Sequence, residues 1–474
     1  MSKSKNKNSS NQKQNSQKNS SSNQNASAPK QEAKKSKLQS DAIYDAKVLG
    51  APKVTVLGLQ HMFAMFGATI LVPMLTGLDV STTLLFAGLG TLLFHFLTKR
   101  KVPAFLGSSF AFLPGYAAIT EKYGMEALPY ACIGVACAGL LYLVLSFLIK
   151  VFGSGKVMKF FPPIVTGPII IAIGLTLSQS AIDSCASDWP IALVAIILII
   201  ICNIWGKGMV KIVPIIIGVI GSYLVSVIVS LSNGTADFSK IADAAWIGLP
   251  IHFENTAFWA FKDGKVSLII TCIITIVPIA LATIVEHIGD ISAISSTVGK
   301  NFIKDPGLHR TLLGDGLATS LAALFGAPAN TTYGENTGVL SLTKVYDPLV
   351  IRLAAGFAIL FSFCPKFAAV IGGMPSATVG GVSLVLYGMI SAVGVRNIVE
   401  AGCDFSKSRN VIIAALILVL SIGIKFSANQ AINIPITIAG EATAISLSGL
   451  AVGAIVGILL NAILPGKDYV FKED

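Results

Sequence analysis

The sequence predicts an all-α polytopic membrane protein with about fourteen transmembrane spans arranged as two inverted seven-span repeats. Three observations predict it. The 474 residues are 53% hydrophobic and only 12% charged, which excludes an ordinary soluble enzyme. Apolar runs of about 20 residues, the length that crosses a bilayer, follow one another from Val54 to Leu464. One stretch conflicts with them: Ala327-Pro-Ala-Asn-Thr-Thr-Tyr-Gly-Glu-Asn-Thr-Gly338 is polar and turn-prone, with a carboxylate at Glu335. At membrane depth such a segment is tolerated only where it faces protein or lines a cavity.

In chain order, residues 1–50 come first as a Lys/Ser/Asn/Gln-rich tail, and residues 51–474 follow as one membrane transport domain. Residues 1–40 have no apolar run to repay the entropy of ordering and are expected to be disordered. The tail holds ten Lys against Glu32, Asp41 and Asp45, so it carries +7 of the net +11. The charge therefore gives no reason to expect a nucleic-acid partner; the lipid bilayer is the expected surroundings. With no signal-peptide pattern, the first span is expected to act as the insertion signal. The seven cysteines form no CxxC pair and most lie in apolar runs, where a thiol behaves as a small hydrophobe. No metal or other cofactor is expected.

The first spans read as Val54–Thr76 and Thr82–Leu97. Val102–Thr120 is interrupted by Gly107-Ser-Ser109 and Pro114-Gly115 and reads as a broken span. Ala127–Phe152, Met158–Ile182, Trp189–Trp205 and Val213–Leu231 complete a first half, and 232–264 is the longest polar connection. The second half runs through Val266–Val285, Thr311–Phe325, the broken Ala327 stretch, Leu349–Ile371, Ser376–Val395, Val411–Ile424 and Ile445–Leu464.

Basic residues orient the chain, because Lys and Arg in short loops collect on the cytoplasmic side. Alternate loops hold Lys99/Arg100/Lys101, Lys150/Lys156/Lys159, Lys207/Lys211, Lys300/Lys304/Arg310, Lys344/Arg352 and Arg396/Lys407/Arg409. Both termini are then cytoplasmic and the protein sits in the cell membrane; Lys366 and Lys425 are exceptions. An offset of 213 residues places Pro162 on Pro375 and Gly167 on Gly380, and an offset of 226 sets Gln60-His61 on Glu286-His287. Halves of seven spans, an odd number, make the repeat inverted. Gly/Pro-interrupted segments at matching places in two halves point to a transporter's midplane site.

Few acids fall inside the spans. Glu286 and Asp290, at i and i+4, share a helix face; Glu335 lies in the broken stretch and Asp315 in the ninth span has no evident partner. His287 and His61 read as packing or interhelical hydrogen-bonding residues. A half-helix starting at the midplane presents unpaired N–H groups and a positive dipole end, and both Ser109-Phe110 and Tyr333-Gly334-Glu335 supply such starts. These donors favour carbonyl oxygens, whereas carboxylates at Glu286 and Glu335 accept N–H groups. A small planar ligand with alternating C=O and N–H edges, such as a pyrimidine-dione, satisfies both sets, with ring contacts from Phe110 and Tyr333.

Six segments carry a resemblance. Gln60-His-Met-Phe-Ala-Met-Phe-Gly-Ala68, Pro103-Ala-Phe-Leu-Gly-Ser-Ser-Phe-Ala-Phe112, Glu286-His-Ile-Gly-Asp290, Asp305-Pro-Gly-Leu-His-Arg310, Asn330-Thr-Thr-Tyr-Gly-Glu-Asn336 and Gly380-Gly-Val-Ser-Leu-Val-Leu-Tyr-Gly388 are similar to signature segments of the bacterial uracil permeases, in the nucleobase/ascorbate transporter (nucleobase-cation symporter-2) family. They span the membrane domain and leave out only the tail. The resemblance implies a core domain of spans 1–4 and 8–11 and a gate domain of spans 5–7 and 12–14. It implies short antiparallel strands before the half-helices of spans 3 and 10. It further implies a nucleobase bound by Glu286, Glu335 and the backbone donors Phe110 and Gly334, with Ala68 and Tyr333 beside the ring. The implied activity is uracil uptake coupled to protons through Glu286, Asp290 and Glu335, the core moving against the gate; a homodimer stays open.

One position departs from the pattern: Asp290 stands where some members have His, so a proton route inferred from His does not carry over. Glu335, where xanthine-type members have Gln, favours uracil. A xanthine or other nucleobase symporter is the alternative within the class. A membrane-embedded hydrolase using two carboxylates is the alternative outside it, and the absence of HExxH, GxSxG or zinc-ligand spacing argues against that reading. An anion carrier would need a basic residue near the breaks, and none stands between Ala327 and Gly338.

Overall fold

The computed structural model describes residues 42–262, 265–438 and 441–466. The chain divides into two units, Met1–Tyr44 and Asp45–Asp474. The disorder expected for residues 1–40, and Lys467 and Lys472, lie outside the described residues. The second unit is helical, in the order α1 (Ala51–Thr76), α2 (Val80–Leu97), β1 (Leu106–Ser108), α3 (Leu113–Tyr123), α4 (Leu128–Phe152), α5 (Pro163–Cys185), α6 (Trp189–Ile204), α7 (Pro214–Ser232), α8 (Val266–Ile276), α9 (Ala280–Val298) and α10 (Leu308–Leu324). It continues with β2 (Asn330–Thr332), α11 (Gly334–Thr343), α12 (Pro348–Ser362), α13 (Pro365–Gly372), α14 (Ser376–Glu400), α15 (Ser408–Lys425), β3 (Ala431–Ile438), β4 (Glu441–Ser448) and α16 (Gly449–Ile463). Among the described residues eight helices are long and apolar enough to cross a membrane, or nine if α12 and α13 count as one bent span; α6 and α16 are shorter apolar helices.

Local chemistry sets these boundaries. Proline occupies the first turn of α5, α6, α7, α12 and α13, where its missing N–H costs nothing. Left-handed glycines end α1 at Gly77 and α9 at Gly299. Exposed side chains such as Phe147, Ile228 and Val419 are apolar, as a lipid-facing surface requires. In lipid the helices gain little from excluding water, so close packing has to hold them. A close example is α5 against α14. A Cβ built on Gly174 would lie 2.2 Å from the carbonyl oxygen of Tyr387, and one on Gly394 would lie 2.7 Å from that of Gly167. Gly380 faces Cys185 in the same way, at 2.6 Å from its nitrogen. Other pairings are α4 with α10, α2 with α12, α6 with α7, α15 with α16, α4 with α8, and α1 with α12.

Three expected spans differ in detail. Leu349–Ile371 is two helices bent by 86°, because Pro365 cannot continue α12. The helix expected over Val266–Val285 runs on through a tight turn at Val277–Ile279 to Val298, since acids that end a hydropathy run do not break a helix buried against protein. Residues 445–448 belong to β4, which pairs antiparallel with β3 from Ala431 opposite Ser448 to Ile438 opposite Glu441. The polar connection 232–264 contains short helical turns at Ser239–Asp243, Phe253–Asn255 and Trp259–Phe261.

Candidate functional site

The two broken stretches meet. β1 and β2 pair antiparallel with Leu106 opposite Thr332 and Ser108 opposite Asn330. Two flanking bonds extend the ladder: Ser109 N–H donates to Ala329 O (2.8 Å) and Tyr333 N–H to Phe105 O (3.0 Å). Strands this short leave outer backbone groups that water cannot reach, and neighbouring helices supply partners. Thr91 of α2 accepts from Leu106 N–H at 2.9 Å and lies 3.2 Å from its carbonyl oxygen. Thr319 of α10 donates to Asn330 O at 2.7 Å, and the Asn330 side chain donates to Phe86 O at 2.9 Å. Ser108 Oγ donates to Thr69 O at 3.0 Å. That carbonyl is the one left without an intrahelical partner by Pro73, four residues on in α1.

Helical turns begin where each strand ends. A short 3-10 turn, Phe110–Phe112, leads into α3, and α11 starts at Gly334 with extended Tyr333 as its N-cap. The first N–H groups of each are therefore free of intrahelical bonds. Helix α9 packs against β2, α11 and the Phe110–Phe112 turn, bringing its polar face to the crossing. Thr332 Oγ1 donates to Asp290 Oδ2 at 3.0 Å. His287 Nδ1 lies 3.1 Å from Asp315 Oδ2 and 3.5 Å from Thr332 Oγ1, with His287 and Asp315 both fully buried. Asp290, Thr332, His287 and Asp315 thus form one polar chain from the crossing into the α9–α10 interface.

The residues singled out in the sequence fall as follows. Gly334 is exposed, and a Cβ there would meet nothing nearer than Asp290 Oδ1 at 3.7 Å. Glu286 and Asp290 are half-buried on α9. Phe110 is buried and packs edge-on against Tyr387 at 5.7 Å between ring centres. Ala68 is fully buried in α1. Tyr333 turns its hydroxyl back to donate to Ser108 O (2.8 Å) and to accept from Thr69 Oγ1 (3.3 Å), so its ring roofs Gly107. Glu335 belongs to α11 by its backbone, and its side chain lies outside the described residues. His61 is an interhelical partner: Asn336 Nδ2 donates to His61 O at 3.1 Å and lies 3.2 Å from its Nδ1. Thr332, Thr69 and Asn336 were not singled out by sequence reasoning; their only signal was membership of the polar stretch or of a span beside it. Asp315 gains the partner that the sequence did not reveal.

The model of a family described as a permease family matches residues 52–430. The chain is 42% identical over 434 residues to a uracil permease of Bacillus caldolyticus, covering 88% of this chain and 94% of that one. It is 40% identical over 420 residues to a uracil permease of Bacillus subtilis (strain 168), covering 86% and 91%. The solved transmembrane domain of a cyanobacterium bicarbonate transporter, BicA, matches with a TM-score of 0.58 over 89% of this chain and 99% of that one; at 12% identity this likeness concerns the fold alone. Because the match runs through nearly the whole multi-pass membrane unit, crossed strands included, the chain belongs to the permease family together with the bacterial uracil permeases, and it is a transporter, not an enzyme.

Proposed function

We propose that the protein takes up uracil across the cytoplasmic membrane by proton-coupled symport. The observation that carries this reading is the crossing itself: two helix starts offer backbone donors next to a helix that bears Glu286 and Asp290. The relatives' names supply the substrate. In this reading Gly334 and Phe110 N–H donate to the ring carbonyls, and Glu286 and Glu335 accept the ring N–H groups. Ala68 lies beside the ring. Tyr333 contributes a ring face while its hydroxyl pins β1. Glu286, Asp290 and Glu335 handle the coupled proton, with Asp290 held at the crossing by Thr332.

The helix pairings support fourteen passes in two inverted repeats, the second seven beginning at α8. On that assignment α4 with α10 becomes α12 with α2, α6 with α7 becomes α15 with α16, and α4 with α8 becomes α12 with α1; all six pairings occur. The α5–α14 contact maps onto itself: Gly167 meets Gly394, and the residues that an offset of 213 puts in their places, Gly380 and Ala181, meet in turn. Such reciprocity is what a two-fold axis in the membrane plane produces. We assign α1–α4 and α8–α13 to a core that moves against a gate of α5–α7 and α14–α16, with both termini cytoplasmic.

The test is uptake of radiolabelled uracil into proteoliposomes under an imposed pH gradient. Wild type is expected to accumulate uracil only with the gradient, and Glu286→Gln and Glu335→Gln to lose nearly all uptake. Gradient-independent uptake would remove the coupling, and full activity in both variants would remove the site. Competition by unlabelled xanthine in the same assay separates a pyrimidine carrier from a purine one.

A further inference from the structure

Away from the crossing, two adjoining cavities of about 430 and 520 Å³ open at the end of the molecule where α1, α3, α5 and α15 finish. They share Pro114, Glu121, Thr176, Lys425 and Gln430. Their walls come from both assigned bodies: α3 and α8 on one side, α5, α15 and α16 on the other, with β3 and β4 at the rim. One residue in the wall of the first cavity is unusual. Thr275 of α8 is 2% exposed, lines the first cavity, and its Oγ1 has no hydrogen-bond partner among the described residues. A buried hydroxyl without a partner is a rarity that calls for a ligand or water to complete it.

The lining selects a ligand class. Glu121 offers carboxylate oxygens, Lys122 and Lys425 offer ammonium groups, and Gln430 offers both an amide donor and an acceptor, with Lys425 Nζ already donating to its Oε1 at 2.7 Å. Pro114, Ala118 and Leu450 give apolar faces between them. Charges of both signs with amides and apolar walls suit a small neutral ring bearing C=O and N–H edges better than an ion of either sign. The position suits an approach route as well. The second cavity reaches Leu113, directly after the Phe110–Phe112 turn. Thr275 precedes Glu286 by eleven residues along α8 and α9, about 16 Å of helix.

We infer that this outer cavity is a second, weaker binding site for the transported ligand class, a waiting site whose floor is Thr275 and whose rim is Gln430. The ligand assigned to it rests on the uracil reading above, and the experiment separates the two. Purified protein in detergent is titrated with uracil by calorimetry, with unfolding temperatures recorded to establish that each variant is folded. Wild type is expected to bind two uracil molecules per chain, one tightly and one more weakly. Thr275→Val, which keeps the shape and removes the hydroxyl, should weaken only the second site, roughly five-fold, as loss of one hydrogen bond does. Gln430→Ala, on the opposite wall, should do the same. Glu286→Gln should remove only the tight site. One uracil per chain, or a weak site indifferent to both Thr275→Val and Gln430→Ala, overturns the waiting site and leaves the transport reading intact. No uracil bound by wild type overturns both.

Discussion

The two crossed strands have similar backbones and very different surroundings. β1 is enclosed on every side: Thr91 holds both main-chain groups of Leu106, Ser108 ties back to α1, and the Tyr333 ring covers Gly107 so closely that an added Cβ would lie 2.5 Å from it. β2 faces titratable groups instead, through Thr332 to Asp290 and His287, and leads directly to exposed Gly334. The two half-helix starts are matched in the proposed inverted repeat, and both offer backbone donors; the side chains around them enclose the strand before one and leave the strand before the other facing open, titratable ground. Proximity to the crossing alone does not make a residue part of the site.

Breaking the support of β2 should have the largest effect. His287→Ala leaves Asp315 fully buried without the imidazole 3.1 Å away. Removing one partner of such a pair costs about 3–5 kcal/mol, so the unfolding temperature in detergent should fall sharply. Replacing both residues, as His287→Ala with Asp315→Ala, should recover part of the loss, because no carboxylate is then stranded. Equal stability of the single and double variants would mean that the pair does not brace the strand. A smaller loss is expected in β1 from Gly107→Ala. The Tyr333 ring is fixed by its hydroxyl bonds to Ser108 and Thr69 and has no room to retreat. Overpacking of this kind costs about 1–3 kcal/mol, and uptake should fall with folded yield. A fully stable Gly107→Ala protein would show that the enclosure of β1 is looser than its contacts imply.

Much of this was legible in the sequence, for identifiable reasons. Runs of apolar residues set by bilayer thickness located the helices, and Gly/Pro interruptions located both breaks. Pairing of the strands came with the family resemblance; three-residue strands have no periodicity of their own to read. Hydropathy alone hides the β3–β4 hairpin in a span and a loop, although Ile432, Ile434 and Ile436 alternate with Asn433, Pro435 and Thr437 in the two-residue rhythm of a strand. Asp315 had no visible partner because His287 is on another span, and only the packing of α9 against α10 brings them together. Tyr333 was expected beside the ligand for its ring; its hydroxyl turns out to serve β1, a contact no local pattern encodes.

The smallest effect on stability, and the sharpest test of the comparison, is Gly334→Ala. Gly334 opens α11 with ordinary helical geometry, and an added methyl meets only Asp290 Oδ1 at normal contact distance. Alanine also restricts the unfolded chain, a gain of about 0.4–1 kcal/mol where the native conformation accepts it. The variant should therefore unfold at or slightly above the wild-type temperature. Its uptake should nevertheless fall by roughly ten-fold, because the methyl stands beside the N–H that a ring carbonyl must approach, and loss of one good hydrogen bond is worth about that factor. The same change at Gly107 and at Gly334 thus separates into lost folding at one and lost transport at the other. Unchanged uptake in a stable Gly334→Ala protein would place the ligand away from the open side of β2.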